Sequence, residues 1–136
     1  MDALDFVGRL VDVTNAHDVD GIVGCFHDDY VLTAPCHPAR SFVGTDQVRR
    51  NWTGLFAAVP DLHVAVVSAS AESDRVWSEW EMQGTRGDGH PHLMRGVIVF
   101  DVLEGRAAAA RFFVEPVEAD ATTADEAIAG LTGRPS

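Results

Sequence analysis

The hydrophobic pattern of this chain changes once, at Pro60, and that change constrains the fold more than any other feature. Before Pro60, apolar residues recur at steps of three and four, which predicts three helices. The first spans 3–16, the second is short and is capped by Asp18, and the third is capped by Thr45 and runs through Val59. After Pro60 the period falls to two, which predicts strands at 62–71, 75–86, 92–102 and 106–115. Helices followed by a run of strands indicate an α+β fold, with the helices on one face of the sheet.

The linkers between these strands are short and rich in turn-forming residues, so we expect an antiparallel meander. A further, earlier strand is predicted at 30–34, and the two prolines within 36–41 indicate a loop after it. Asp28 and Asp29 are interpreted as solvated turn residues that precede this strand.

The 136 residues fit one ordinary domain, and 46% hydrophobic with 23% charged residues is a globular composition. No apolar run approaches the roughly 18 residues that a membrane span needs. No basic segment followed by an apolar stretch opens the sequence, so no secretory signal is predicted. We therefore expect a cytoplasmic location.

The charge of −11 excludes two classes of partner, because it repels nucleic-acid phosphates and anionic lipid surfaces. All ten basic residues are arginine, and the absence of lysine excludes Schiff-base chemistry and a Walker-type phosphate site. Cys25 and Cys36 form neither a CxxC pair nor a disulfide framework and are interpreted as free thiols.

The segment Asn15–Tyr30, NAHDVDGIVGCFHDDY, resembles the N-terminal signature of the nuclear transport factor 2-like superfamily, which includes ketosteroid isomerases and SnoaL-like polyketide cyclases. Four later segments resemble its SnoaL-like branch: Phe42–Gly44, Pro60–Leu62, Trp80–Thr85 and Arg95–Phe100. The resemblance implies a cone-shaped α+β barrel over residues 1–116. In such a barrel, three N-terminal helices pack on a strongly curved, mainly antiparallel sheet that encloses an apolar pocket.

The resemblance also implies which side of each strand faces the cone. Strand alternation supports it independently, because the charged residues fall on the opposite side. The residues expected to bind a ligand in the cone are Leu10, Leu32, Ala34, Trp52, Phe56, Ser78, Trp80, Met82, Met94, Ile98 and Phe112. The outer face of the sheet is also expected to carry apolar side chains, namely Trp77, Val97, Val99 and Phe113. A sheet-to-sheet homodimer would bury this apolar surface.

Ketosteroid isomerases combine a carboxylate base with a tyrosine and a protonated aspartate that stabilise an enolate. The resemblance places these three positions at Ala34, Leu10 and Ile98, whose side chains can neither accept a proton nor donate a hydrogen bond. We therefore exclude steroid isomerisation by that mechanism. The acid that SnoaL-like cyclases carry on the strand of Ile98 is also absent, and the inward-facing set holds no Asp-Arg-Asp constellation like that of the related epoxide hydrolases.

His92 is the one imidazole whose strand parity directs it into the cone, as an acid/base or as a hydrogen-bonded rim residue. His37 follows Cys36 in the loop at the pocket mouth, but adjacent residues of an extended segment point apart, which disfavours a direct Cys-His pair. His90 and His92 could form a metal site together with His63 or His37, but no carboxylate accompanies them at ligand spacing. The sequence therefore predicts no metal ion and no cofactor.

Three functions remain open at this point. One is an isomerase, cyclase or lyase that acts on an apolar, carbonyl-bearing small molecule, with His92 as acid/base and Ser78 or His37 in support. The second, of equal weight, is a non-catalytic protein that binds a hydrophobic small molecule in its apolar cone. The third is a dimeric interaction protein that uses the outer sheet face or the acidic, Ala/Thr-rich tail at 117–136. We expect this tail to be loosely held, with a weak helical pattern at 124–131.

Overall fold

A computed structural model describes residues 2–133 as four α-helices, one 3-10 turn and one six-stranded sheet. The helices are α1 (Ala3–Asn15), α2 (Val19–Val23), α3 (Thr45–Ala58) and α4 (Ala124–Thr132), and the 3-10 turn spans Pro38–Arg40. The strands are β1 (Phe26–Thr33), β2 (Phe42–Val43), β3 (His63–Glu72), β4 (Arg75–Thr85), β5 (Pro91–Leu103) and β6 (Arg106–Pro116).

The strand order is β2-β1-β6-β5-β4-β3. The last four strands of the chain form the antiparallel meander that the sequence predicts. β1 differs in direction, because it runs parallel to β6. The helices pack on a curved, mainly antiparallel sheet, which confirms the predicted α+β class.

Hydrogen bonds at both ends of α1 fix where it starts and what it packs on. At its start, the Asp2 carboxylate accepts a hydrogen bond of 2.8 Å from the Asp5 amide N–H. At its end, the Asn15 side chain accepts from the Val64 N–H at 2.8 Å and donates to the Val64 carbonyl at 3.0 Å. These two bonds tie α1 to β3, the edge strand of the meander, and bury its apolar stripe around Phe6.

Gly96 lies in the middle of β5, paired with Trp80 on β4 and with Val114 on β6. Its φ is +153°, and a Cβ added there would lie 2.1 Å from the Phe113 carbonyl oxygen. A glycine inside a long strand marks a place where another backbone comes very close, and here that backbone is β6. No other residue fits without displacing β6.

The first strand begins earlier than predicted, at Phe26 rather than at residue 30. The prediction that Asp28 and Asp29 are turn residues is therefore wrong, because both lie within β1. The pairing of β1 with β6 shifts register between Phe26 and Val31, and a bulge of this kind leaves residues outside the ladder. Both aspartates lie in this irregular part of the strand and remain exposed.

The start of α3 differs from the prediction by one residue. Gly44 is the capping residue, and Thr45 is the first residue of the helix. Gly44 has a φ of +92°, a conformation that glycine adopts without strain. Its N–H donates to the Tyr30 carbonyl at 2.7 Å, which fixes the turn from β2 into the helix.

The acidic C-terminal segment contains α4, at the place of the weak helical pattern. The Thr123 hydroxyl accepts from the Glu126 N–H at 3.3 Å and caps this helix. Ala129 is buried, whereas Ile128 and Leu131 remain exposed. Residues 134–136 of the predicted tail lie outside the described residues. Within residues 2–133, no helix has both the length and the apolar character needed to cross a membrane.

We expect Gly96→Ala to lower the free energy of unfolding by more than about 2 kcal/mol, because the new methyl group must displace the β6 backbone. Urea denaturation measures the change. The matched control is Gly54→Ala, within α3, where an added Cβ meets nothing within 4 Å. This control should stabilise the protein by up to about 1 kcal/mol, since alanine is the better helix former. Equal changes in the free energy of unfolding for the two substitutions would show that the β6 backbone does not restrict the space at Gly96.

Candidate functional site

A cavity of about 160 Å³ lies between the helices and the concave face of the sheet. Its wall is almost wholly apolar and comes from α1, α3 and five of the strands, with Leu62 from the segment before β3. We call it the main cavity. Eight of the eleven residues expected to bind a ligand line it, namely Leu10, Leu32, Trp52, Trp80, Met82, Met94, Ile98 and Phe112.

Three residues of that expected set lie elsewhere. Ala34 is buried just after β1 and lines an adjoining cavity instead. The Phe56 ring stacks on the ring of His17 with their centres 4.1 Å apart, so it packs α3 against the end of α1. Ser78 has the predicted inward parity, but its hydroxyl is occupied: it donates to the Ile98 carbonyl at 2.7 Å and accepts from the Trp80 indole N–H at 2.8 Å. Neither Phe56 nor Ser78 lines the main cavity.

Tyr30, the single tyrosine of the chain, contributes a polar group to this apolar wall. The residue is 2% exposed, and burial raises the pKa of its hydroxyl above the ordinary value. The hydroxyl makes no hydrogen bond to another described residue. Within residues 2–133, every side-chain oxygen that is fully buried has a hydrogen-bond partner, so this hydroxyl is not fully buried. The hydroxyl therefore opens into the cavity as a protonated, unused donor.

His92 supplies a second polar group to the same wall. It lies near the start of β5, opposite Gly84 on β4, and is half-buried. Its ring forms no hydrogen bond, ion pair or ring contact with another residue of the described part of the chain. Both ring nitrogens are thus free to exchange a proton with a bound molecule.

The other two polar side chains of the wall are already engaged. The Thr14 hydroxyl donates to the Leu10 carbonyl at 2.6 Å within α1. The Asn51 side-chain oxygen accepts from Gln47 at 2.7 Å along α3. Thr14 retains lone pairs and Asn51 retains an amide donor, but neither can serve as a strong acid or base.

A second cavity, of about 190 Å³, adjoins the first and shares four of its wall residues: Leu32, Phe42, Asn51 and Phe112. Its remaining wall is more polar and includes His37, Arg40 and Glu115. The His37 Nε2 atom lies 2.8 Å from the Glu115 carboxylate, and both side chains are about two-fifths exposed, at 40% and 43%. We call this charged region the mouth.

His37 is therefore paired with Glu115 and not with Cys36, which is exposed. Two further histidines are held by backbone carbonyls: His17 by Leu62 at 2.8 Å and His27 by Leu103 at 2.6 Å. Among residues 2–133, no group of three or more His, Cys, Asp or Glu side chains has the geometry of a metal site.

Sequence reasoning missed Tyr30, Arg40, Asn51 and Glu115 as wall residues. A signal for Tyr30 was present, because it has the same strand parity as Leu32 in the expected inward set. The other three follow from tertiary structure, since they lie on a loop, a helix and the end of β6.

The curved sheet, the three helices packed on it and the cavity between them define the nuclear transport factor 2-like class of α+β proteins. A family model of the SnoaL-like domain matches residues 7–110. The chain therefore belongs to the SnoaL-like domain family. A search of curated proteins finds no match to it.

Solved structures of this class resemble the chain over most of its length. Wild-type IdmH, a putative polyketide cyclase from Streptomyces antibioticus, is 18% identical at a TM-score of 0.74, with 85% of this chain and 93% of that one covered. A putative SnoaL-like polyketide cyclase from Jannaschia sp. CCS1 is 20% identical at 0.70, with 83% and 85% covered. An LEH-like epoxide hydrolase from M. tuberculosis is 18% identical at a TM-score of 0.70, with 83% of this chain and 82% of that one covered. At these identities the likeness shows the fold alone.

We expect Tyr30→Phe to leave the free energy of unfolding within about 0.5 kcal/mol of the wild-type value, because the hydroxyl it removes bonds to no described residue. Asn15→Ala is the reference variant, since it loses both bonds to Val64 and should cost about 1–3 kcal/mol. Urea denaturation compares the two. A loss above about 1 kcal/mol in Tyr30→Phe would reveal a protein partner for the hydroxyl and remove it from the site.

Proposed function

We propose that this protein binds an apolar small molecule in the main cavity. The observation that carries the proposal is a preformed cavity whose wall is apolar except for a few polar groups, of which the Tyr30 hydroxyl and the His92 ring bond to no residue within 2–133. Small-molecule sites generally combine a hydrophobic lining with a small number of convergent polar groups. A ligand with one oxygen atom that accepts a hydrogen bond would pair with the Tyr30 hydroxyl, and the rest of its surface would be buried against the apolar wall.

Proton transfer by His92 is the second candidate function, and the free imidazole favours it. A neutral imidazole nitrogen can take a proton from the carbon next to a ketone, which leaves an enolate whose negative charge lies on oxygen. The Tyr30 hydroxyl, kept protonated by its burial, can donate a hydrogen bond to that oxygen. Return of the proton from His92 to a different carbon of the enolate completes an isomerisation, whereas return to the same carbon of a proton that His92 has taken from solvent completes an exchange.

His37 has a different part in this proposal from the one expected from the sequence. Its ring nitrogen is bound to Glu115 in the mouth, and it does not line the main cavity. We assign it to the mouth and leave acid/base chemistry to His92.

A homodimer through the outer face of the sheet also belongs to this proposal. Trp77 is 53% exposed there, on the same face as the ion pairs Arg75–Asp101 and Arg95–Glu81. Burial of an exposed tryptophan together with satisfied ion pairs is typical of interfaces between two copies of one chain.

We expect the neutral fluorescent dye N-phenyl-1-naphthylamine to bind saturably at one site per chain. Met94→Trp should weaken this binding at least about tenfold, because the larger ring occupies the main cavity. The dye is excited at wavelengths longer than those that tryptophan absorbs, so its fluorescence reports binding without interference from the introduced tryptophan. Val67→Trp is the control, since Val67 is 61% exposed on β3 and outside the main cavity. Equal weakening by both variants would place the dye outside this cavity.

We expect the protein to accelerate hydrogen–deuterium exchange at the carbon next to the carbonyl of 2-tetralone, an apolar ketone, in deuterated buffer. His92→Gln should lower the accelerated rate about 100-fold, since it removes the only acid/base group assigned to the main cavity. Mass spectrometry follows the exchange, and dye binding shows whether the cavity is intact. His63→Gln, an exposed histidine on β3, is the control. An unchanged rate in His92→Gln would leave binding without chemistry as the function.

A further inference from the structure

Arg40 lies at the mouth, and its side chain has no partner among the described residues. Four described arginines, Arg49, Arg75, Arg86 and Arg95, form ion pairs with carboxylates. Arg9 donates to a backbone carbonyl and Arg50 to a glutamine. The side chain of Arg40 makes no hydrogen bond or ion pair with a described residue, although the chain holds 21 acidic residues against 10 basic ones. It lines the mouth and is exposed.

The loop that carries Arg40 is held by hydrogen bonds on both sides. The Arg40 N–H donates to the His37 carbonyl at 2.8 Å, and the His37 N–H donates to the Ala34 carbonyl at 3.1 Å. The Ser41 hydroxyl accepts from the Ala34 N–H at 3.0 Å and closes the loop. The backbone therefore presents Arg40 and His37 at a fixed place beside the end of β6.

The pairing of His37 with Glu115 leaves Arg40 as the group in the mouth with unused hydrogen-bonding capacity and positive charge. The carboxylate of Glu115 already lies 2.8 Å from the His37 Nε2 atom. The guanidinium of Arg40 has five N–H donors and no acceptor among the described residues. A group that accepts from it must come from outside this part of the chain.

The mouth adjoins the main cavity and shares part of its wall. Leu32, Phe42 and Phe112 line both, so their side chains give the two cavities apolar surface in common. Asn51 lies at the boundary, and its side-chain NH2 has no described partner, because only its oxygen is engaged, by Gln47. An elongated molecule could thus lie with its apolar body inside and a polar end beside Arg40 and Asn51.

We infer that the ligand of this protein is an apolar molecule that carries one carboxylate, and that Arg40 receives this carboxylate at the mouth. The inference rests on the proposed binding function and adds a substrate class to it. A carboxylate matches the planar fork of a guanidinium with two parallel hydrogen bonds. A doubly charged phosphate would meet stronger repulsion from the neighbouring Glu115 and from the net charge of −11.

The test compares two probes of nearly equal shape, octanoate and octanamide, by displacement of bound N-phenyl-1-naphthylamine at about 0.15 M salt, where distant charges are screened. Arg40→Gln should weaken octanoate about two- to fivefold, the effect of one exposed ion pair, and leave octanamide unchanged. Arg111→Gln is the matched control, because Arg111 is also exposed and without a described partner but lines neither cavity. It changes the net charge equally and should leave both probes unchanged.

The possible failures are distinguishable. If Arg40→Gln weakens both probes or neither, Arg40 does not recognise the carboxylate and the inference is overturned while cavity binding stands. If Arg111→Gln weakens octanoate as much as Arg40→Gln does, the effect is one of total charge, and the inference also fails. Failure of octanoate to displace the bound dye has the same meaning. Absence of saturable dye binding by the wild-type protein removes the proposed function itself.

Discussion

The close approach of β6 to Gly96 is the constraint on which the rest of the structure depends. A side chain at this position would meet the Phe113 carbonyl oxygen, so β5 and β6 could not keep their register. That register places Ile98 beside Phe112 on the concave face. Because strand residues alternate strictly, the same register turns alternate residues of β4, β5 and β6 toward the helices. The cavity therefore follows from one backbone contact together with strand alternation.

The hydrogen bonds of the interior show where a ligand can gain free energy. Ser78 and Thr14 are buried and bonded to backbone carbonyls, and no sealed side-chain polar atom of residues 2–133 is left without a partner. Unused capacity inside the fold is found at Tyr30 and His92, which open into the main cavity. A donor or acceptor without a partner in an apolar region is costly, so a ligand that satisfies it binds better than its apolar surface alone would allow.

Strand parity predicted most of the strand residues in the wall of the main cavity, because the period of two leaves only one choice of face once the register is known. The expected ligand-binding set differs from the wall where a side chain has another partner. Ser78 faces inward as predicted but bonds to its neighbours, and Phe56, on α3, packs on His17 instead of the cavity. The pairing of His37 with Glu115 joins positions far apart in sequence, on a loop and on β6, so no local pattern could indicate it.

The apolar residues Leu10 and Ile98 in the wall of the main cavity restrict the chemistry that this cavity can support. A carboxylate in such a wall would lose most of its hydration, a cost that a neutral imidazole or phenol does not incur. Groups that can donate or accept a proton in an uncharged form, as an imidazole and a phenol can, are therefore compatible with this wall. The same cost applies to a charged group on the ligand. A ligand that carries a charge must keep it in the mouth, where water and a guanidinium are both available.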